Sequence, residues 1–302
     1  MGRSFGVEFE FAAHHNQNDQ ARIADQYGIE LYPRPYGHSD GRQWEAKTDS
    51  TARHAEGGAG YEIASRALRG DAGLKELEFY CTVLTRMAKA NNWKVHKGCG
   101  FHVHIDTSDY SMDDLRRLVR MVMHYESAFF CLNAPSRIGN NYTRSVRGME
   151  LENYEILAGL RGEDTDSTRR ELLNSIARRR DHFRYFGMNL THFIMSGRIE
   201  FRYGSGTLNA RKAAGWVNLL VSLVEKAKNA DRVRVNPQVE GEGAQTIRQR
   251  KEALRRGMSN LRAIDMTYRV GVAHKTIEER FEKFGNNLGS PDATPAYRVR
   301  GF

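Results

Sequence analysis

The stretch GVEFEF at residues 6–11 alternates acidic and large apolar side chains with a period of two. Side chains on a β-strand point to opposite faces in turn, so the stretch predicts a strand with Glu8 and Glu10 on one face and its apolar residues on the other. Two carboxylates two residues apart repel each other unless something cationic lies between them. The segment therefore predicts a sheet with an apolar back and a charged front.

Two later stretches share this design. CGFHVHID places His102 and His104 on one strand face, and RIEFRYG places Glu200 and Arg202 on one strand face. A single pair of this kind is more often a solvated strand edge or packed histidine than a site, but three in one chain would require the same coincidence three times. The three stretches together predict that Glu8, Glu10, His102 and Glu200 converge on one concave face within a common metal site, where such a set of side chains suits divalent metal and phosphate.

The composition is that of a globular protein with a large core. The chain has 302 residues, of which 40% are hydrophobic and 10% aromatic. The longest uncharged apolar-rich run, residues 213–224, is too short to span a bilayer, and no signal peptide is visible. Three cysteines without paired metal spacing argue against a disulfide scaffold and favour a reducing compartment. We therefore predict a cytoplasmic protein without a membrane partner.

The net charge of +9 and the pI near 9.5 favour anionic partners such as a nucleotide, an acidic peptide or nucleic acid. The basic residues are spread along the chain, and their densest runs are typical of solvated helix faces. No zinc-finger spacing, aromatic RNA-binding signature or basic zipper occurs, so sequence-specific nucleic-acid recognition has no support.

Periodicity and turn residues give a coarse map of the elements. Besides the histidine stretch, the predicted strands are 4–12, 44–48, 60–66, 183–194 and 198–204, the last two joined by a Ser196-Gly197 turn. The predicted helices are 73–91, 111–131, 149–160, 167–180, 209–229, 243–257 and 275–284. Ser111 and Asp114 form a capping box at the start of the second helix, and residues 13–43 are predicted to be loop-rich. Strands and helices do not alternate regularly, which favours an α+β fold with a mainly antiparallel sheet covered on one side by helices.

Six short blocks, in order, resemble the amidoligase family, which belongs to the carboxylate–amine ligase superfamily with glutamine synthetase and glutamate–cysteine ligase. The blocks are G-x-E-x-E at Glu8 and Glu10, W-x-x-K-x-D-S at residues 44–50, E-I-A-S at residues 62–65, the histidine stretch, S-R-x-x-N-N-Y at residues 136–142, and I-E-F-R at residues 199–202 followed by G-T-L and the Trp216 helix. The third block departs from the usual E-L-V-S-P, because Arg66 stands in place of proline.

The resemblance covers residues 4 to about 228 and implies a fold and an activity. The implied catalytic domain, of glutamine-synthetase-like type, is residues 1–230, followed by a helical C-terminal extension at 231–284 and a loose tail at 285–302. The implied activity is ATP-dependent: a carboxylate is phosphorylated, and an amine attacks the acyl phosphate to form an amide or peptide-like bond. The partners are then ATP, a carboxylate and an amine. The family is associated with peptide, cell-surface and nucleobase-linked substrates in bacteria, their phages and fungi.

The resemblance also implies two ions, Mg²⁺ or Mn²⁺, which suit a site rich in carboxylates and poor in cysteine. His102 joins Glu8 and Glu200 around one ion. Glu10 joins Glu62 and Asp49 around the other.

Five further residues are predicted to bind nucleotide phosphate. Arg202 faces the metal with Glu200 and offers a rigid fork of donors to the transferring phosphoryl group. His104 lies beside it. Arg137 and Arg144 flank Asn140-Asn141-Tyr142, which is similar to a nucleotide-side segment of glutamine synthetase, and Lys47 completes the set. Arg202 and Arg137 are the predicted catalytic residues.

Two alternatives from other classes stay open. The same histidines and carboxylates suit a two-metal hydrolase that activates water, although such an enzyme needs no arginine on the metal face. A basic, non-catalytic binding protein would account for the charge, but it has no physical reason to keep so many metal-ligand side chains on one face.

Overall fold

The computed structural model describes residues 2–35, 41–54, 58–137, 140–146, 151–160, 162–163 and 165–231. The predicted helices at 243–257 and 275–284 and the predicted tail lie outside the described residues. The strands are β1 (Ser4–Ala13), β2 (Tyr32–Arg34), β3 (Glu45–Thr48), β4 (Ala59–Ala64), β5 (Leu68–Arg69), β6 (Gly100–Asp106), β7 (Met188–Asn189) and β8 (Arg198–Ser205). The helices are α1 (Gln17–Gln26), α2 (Gly70–Ala90), α3 (Met112–Cys131), α4 (Leu151–Leu157), α5 (Asp166–Arg178), α6 (Arg180–Phe183), α7 (Phe193–Ser196) and α8 (Ala210–Asn229). Short 3-10 helices lie at Ser50–Ala52 and Pro135–Arg137.

The strands are ordered β2-β3-β4-β1-β6-β8-β7, and β5 also pairs with β1. Strand β1 is antiparallel to β4 and β5, β3 is antiparallel to β4, and β7 is antiparallel to β8, whereas β2 runs parallel to β3. An open, mostly antiparallel sheet combined with helices confirms the predicted α+β class. Among the described residues, no helix is both long and apolar enough to cross a membrane.

The described residues form two compact units. The first unit contains the chain up to His104 together with Gly204–Asn218, and the second contains Ile105–Tyr203 and the described residues from Leu219 onward. Strands β6 and β8 each contribute residues to both units.

The apolar back of the first unit's strands is packed by aromatic rings. Phe9 and Phe11 of β1 are 0% exposed, and their ring centroids lie 5.0 Å from Phe101 and 4.9 Å from Trp93. Each buried Phe of this kind contributes about 1.5–3 kcal/mol relative to an exposed one. The predicted alternation of apolar and ionisable side chains along β1 is therefore confirmed.

The second unit has its own core around the end of β8. The Tyr203 ring lies 5.4 Å from the rings of both Phe129 and Phe130 of α3. Helix α3 begins with the predicted capping box: the Ser111 N–H donates to the Asp114 carboxylate (2.8 Å), and the Asp114 N–H donates to the Ser111 hydroxyl (3.2 Å).

The prediction that residues 13–43 are loop-rich is wrong at α1 and β2. The Asn16 side chain caps α1 by accepting the N–H groups of Asn18 (2.9 Å) and Asp19 (3.1 Å). The helix buries only Gln20 and Ala24. A helix that buries so few apolar residues carries almost no hydrophobic periodicity, which is the signal that the sequence prediction needs.

The strand predicted at 183–194 is also wrong over most of its length. The segment forms the end of α6, the two-residue strand β7 and part of α7. Its backbone pairs with a loop, since the Arg144 N–H donates to Tyr185 (2.7 Å) and the Gly187 N–H donates to Arg144 (2.7 Å). Aromatic composition favours strands only where neighbouring strands are present to pack against. The turn at Gly197 is confirmed, with φ +60 at the end of α7.

Candidate active site

The ionisable front of the first unit brings together two carboxylates and two imidazole rings. Glu8 and Glu10 of β1 face His102 and His104 of β6. The His102 ring lies between the carboxylates, with Nδ1 3.2 Å from Glu8 Oε2 and Nε2 3.2 Å from Glu10 Oε1. His104 Nε2 lies 3.1 Å from Glu8 Oε1. Four predicted site residues therefore form one cluster, which is consistent with the period-two pattern of β1 and β6.

Gly100 allows this cluster to close. Its N–H donates to Glu10 Oε2, and a Cβ at this position would lie 2.5 Å from His102 Nε2. Any larger residue would push the His102 ring away from Glu10. The glycine in CGFHVH is thus explained by the close approach of ring and backbone.

The charge of Glu8 is fixed by its neighbours. Burial alone would raise the pKa of its carboxyl group, but His104, His102 and Lys47 together lower this pKa well below its ordinary value. Glu8 is thus an anion at neutral pH and suits a role as a metal ligand.

Lys47 and Glu62 form a second, adjacent feature of the same sheet. They lie directly opposite each other on β3 and β4, and Glu62 lies opposite Glu10 on β1. The Lys47 ammonium is 2.6 Å from Glu62 Oε1.

The pKa values of both members of this pair are raised. Burial opposes the charge of Lys47, but Glu62 and Glu8 outweigh this effect and raise the lysine pKa. Burial and the Glu8 anion raise the pKa of Glu62 to about 8 despite the lysine.

Asp49, the remaining predicted ligand of the second ion, caps the first 3-10 helix. Its Oδ1 accepts hydrogen bonds from the Thr51 N–H (2.8 Å) and the Thr51 hydroxyl (2.7 Å). Its role as a ligand stays a prediction.

The raised pKa of Glu62 predicts a pH-dependent stability. Since the folded state binds this proton more tightly than the unfolded state, Glu62 contributes stability in full below about pH 4.5 and loses it as the pH rises through about 8. In EDTA, the Tm of the wild type relative to Glu62→Gln should therefore fall between pH 5.5 and 8.5. A Tm difference that is constant or rises over this range would contradict the assignment.

The second unit holds the Glu200–Arg202 pair. The Arg202 guanidinium donates to Glu200 Oε1, and the Asn189 side-chain amide donates to Glu200 Oε2 (2.6 Å). Asn189 is buried, and its Oδ1 accepts the Thr191 N–H (2.9 Å), which fixes the amide. Glu200 is therefore held by two donors. Asn189 is not among the predicted site residues, and its position opposite Glu200 in β7 and β8 identifies it.

The loop that contains Tyr142 and the nearby Arg137 hold Arg202 in place by hydrogen bonds. Arg137 is buried, and its guanidinium donates to the Arg202 carbonyl (2.6 Å) and to the Thr143 hydroxyl. The Arg202 Nε donates to the Tyr142 carbonyl (3.2 Å). In this arrangement, Arg137 contacts protein backbone and a side-chain hydroxyl, so its role toward phosphate stays a prediction.

Arg144 also makes protein contacts. Its guanidinium donates to the His182 carbonyl and lies 4.7 Å from the centroid of the Phe186 ring. Its role toward nucleotide likewise stays a prediction.

Sequence analysis missed the buried carboxylate of Glu126 in α3. Glu126 is 0% exposed and accepts hydrogen bonds from the Tyr203 hydroxyl (2.7 Å), the Val146 N–H (2.9 Å) and the Ser145 hydroxyl. It therefore connects α3 both to β8 and to the segment that follows Arg144. Glu126 is the one residue among Asp, Glu, Lys and Arg in the sequence from 121 to 131, and this isolation was the available signal.

Comparison with known proteins places the chain in a family. Residues 1–224 match the family described as "Putative amidoligase enzyme". No curated protein matches the chain significantly.

Three solved structures are similar to the chain at low identity. A bifunctional glutathione synthetase from Pasteurella multocida has 12% identity and a TM-score of 0.46, with 99% of this chain and 48% of that chain covered. GmaS with ADP has 10% identity and a TM-score of 0.46, with 94% and 70% covered. A novel glutamine synthase homolog has 11% identity and a TM-score of 0.43, with 99% and 70% covered.

The chain spans about half the length of that glutathione synthetase. Structural similarity with TM-scores below 0.5 does not support a conclusion about activity. The family match is the stronger finding, because it spans most of the 302 residues. The chain belongs to the amidoligase family.

Proposed function

We propose that the protein is an ATP-dependent carboxylate–amine ligase that forms an amide or peptide-like bond through an acyl phosphate. The observation that carries the proposal is the position of His102 between Glu8 and Glu10, with His104 beside them, on one face of the sheet. Family membership supports the same reaction class.

The donor set fits a hard divalent cation. Carboxylate oxygens with one or two imidazole nitrogens suit Mg²⁺ or Mn²⁺, and Glu8 is anionic at neutral pH. We propose that Glu8, His102 and Glu200 hold one ion, and that Glu10 and Glu62, with Asp49, hold a second. Bound there, the ions would neutralise charge on the phosphate oxygens.

The remaining residues then act on the substrates. A carboxylate oxygen attacks the γ-phosphorus of ATP, the bond to the β-phosphate oxygen breaks, and ADP leaves. The amine next attacks the acyl carbon, phosphate leaves, and the nitrogen loses a proton to solvent. The Arg202 guanidinium would stabilise the charge on the transferring phosphoryl group. We propose that Arg137 positions Arg202 through its carbonyl, and that His104, Lys47 and Arg144 complete the phosphate site.

The decisive test is a screen of carboxylates and amines for ADP release in the presence of Mg²⁺. An acid–amine pair that releases ADP and yields the amide in equal amounts supports the proposal. Glu8→Gln is the matched variant, and it should abolish the signal because the first ion loses an anionic ligand. Metal-dependent hydrolysis that proceeds equally without ATP would instead identify a two-metal hydrolase.

A nucleotide should also stabilise the folded protein. At a concentration one hundred times its Kd, an ATP analogue stabilises by about 2.7 kcal/mol, which corresponds to a Tm increase of roughly 4 °C for a chain of 302 residues. We expect this increase with Mg²⁺ or Mn²⁺, and a much smaller one with EDTA. If every nucleotide left the Tm unchanged and zinc alone raised it, the ligase proposal would be wrong.

A further inference from the structure

Lys47 places a cation at the position expected for the second metal ion. Its ammonium lies 2.6 Å from Glu62 Oε1, and the two side chains are only 8% and 13% exposed. Lys47, Glu62 and Glu10 lie side by side across β3, β4 and β1 in direct register. The ammonium thus lies within the row of side chains to which the second ion is assigned.

Three other oxygens of this half of the site are also engaged. Glu10 accepts the Gly100 N–H through Oε2 and lies 3.2 Å from His102 through Oε1, and Asp49 Oδ1 caps a 3-10 helix. By contrast, the Glu8 carboxylate lies 3.2 Å from His102 Nδ1 and 3.1 Å from His104 Nε2, and imidazole nitrogens can themselves ligate a divalent ion. The residues therefore fit a first ion near Glu8 and His102 better than they fit a second ion near Glu62.

We propose that Lys47 is the resident cation of this half-site, so that the nucleotide-free protein binds one divalent ion and admits the second only when the ammonium is displaced from Glu62. This inference rests on the proposed function. It adds that the lysine exchanges partners, between the Glu62 carboxylate in the empty site and a phosphate group in the loaded one.

The physical reason is the cost of a cation without a partner. A divalent ion within a few ångströms of an ammonium is repelled, and a displaced ammonium in a buried position would lose the Glu62 side chain as its acceptor. A phosphate oxygen supplies a new acceptor with negative charge, and the four-carbon stem of lysine allows the ammonium to move. The second ion and the nucleotide should therefore bind cooperatively, each raising the affinity for the other by the same factor.

The test is a titration of the protein with Mn²⁺ at pH 8 without nucleotide. Binding is measured by calorimetry and by the EPR signal of the free ion. The wild type should bind one ion. Lys47→Met should also bind a second ion, with an affinity at least ten-fold higher than the affinity of the wild type for a second ion. Lys47→Arg, which keeps the charge, should behave as the wild type. Two equivalent ions in the wild type, or no gain of an ion in Lys47→Met, would overturn the inference.

Lys47→Met could misfold because Glu62 loses its partner. A double variant controls for this outcome. Lys47→Met with Glu62→Gln removes both charges, and it should fold with a Tm near that of the wild type and bind one ion. If it bound two ions, Glu62 would not be part of the second site and the inference would fail. Wild-type protein that releases ADP while Lys47→Met gains no ion would refute only this inference; wild-type protein that binds no ion would refute the proposed metal site as well.

Discussion

Arg202→Lys is expected to lower the rate of ADP release by about 30- to 1000-fold, or about 2–4 kcal/mol of transition-state stabilisation, while metal binding survives. Lysine keeps the charge but loses the fork of donors that now binds both Glu200 and the Tyr142 carbonyl. The measurement is kcat for ADP release at saturating ATP and Mg²⁺. Arg198→Lys is the matched control, because it makes the same change at an exposed position of the same strand.

Glu200→Gln should have a different signature. It removes an anionic ligand, so Mn²⁺ and nucleotide affinity should fall together, and the apparent KM for the metal should rise. Asn189 would then face an amide in place of a carboxylate, which weakens that hydrogen bond as well. If both substitutions had small and equal effects on ADP release, this part of β8 would be only a polar face of the sheet.

Glu126→Ala is expected to destabilise the fold by about 3–5 kcal/mol. The substitution leaves three buried donors without their acceptor, namely the Tyr203 hydroxyl, the Val146 N–H and the Ser145 hydroxyl, at about 1–3 kcal/mol each before relaxation. The check is the free energy of unfolding from a urea titration.

Two controls separate burial from the loss of acidic charge. Glu126→Gln keeps one acceptor oxygen and should cost less than the alanine substitution. Glu171→Ala removes an exposed glutamate of α5 and should change the stability by less than about 0.5 kcal/mol. A loss of less than 1 kcal/mol for Glu126→Ala would show that water replaces the carboxylate at this position.

Period-two alternation predicted the strands β1, β6 and β8 correctly because each of them has one apolar face and one ionisable face. Phe9 and Phe101 could be assigned to the core, and Glu8 and His102 to the opposite face, since a strand allows only two directions for a side chain. The capping box at Ser111 could be read for a similar reason: its hydrogen bonds connect residues three apart in the sequence.

Elements without such a pattern were missed. Helix α1 is capped by Asn16 and buries few residues, and the segment around Tyr185 pairs its backbone with a loop more than forty residues earlier. Hydrogen bonding between two irregular backbone segments requires no alternation of side chains in either of them, so the aromatic composition of residues 183–194 indicated a strand.

The sequence by itself determined which side chains face the site, because alternation along a strand and the order of the motifs are local properties. Only the tertiary structure decided the partners: His102 between Glu8 and Glu10, Lys47 against Glu62, and Asn189 against Glu200. Those pairs depend on which strands are neighbours and in what register, and register is set by packing over the whole sheet. It is also packing that buries Lys47 beside two carboxylates and makes it a competitor for a metal ion, which no spacing of residues in the chain reveals.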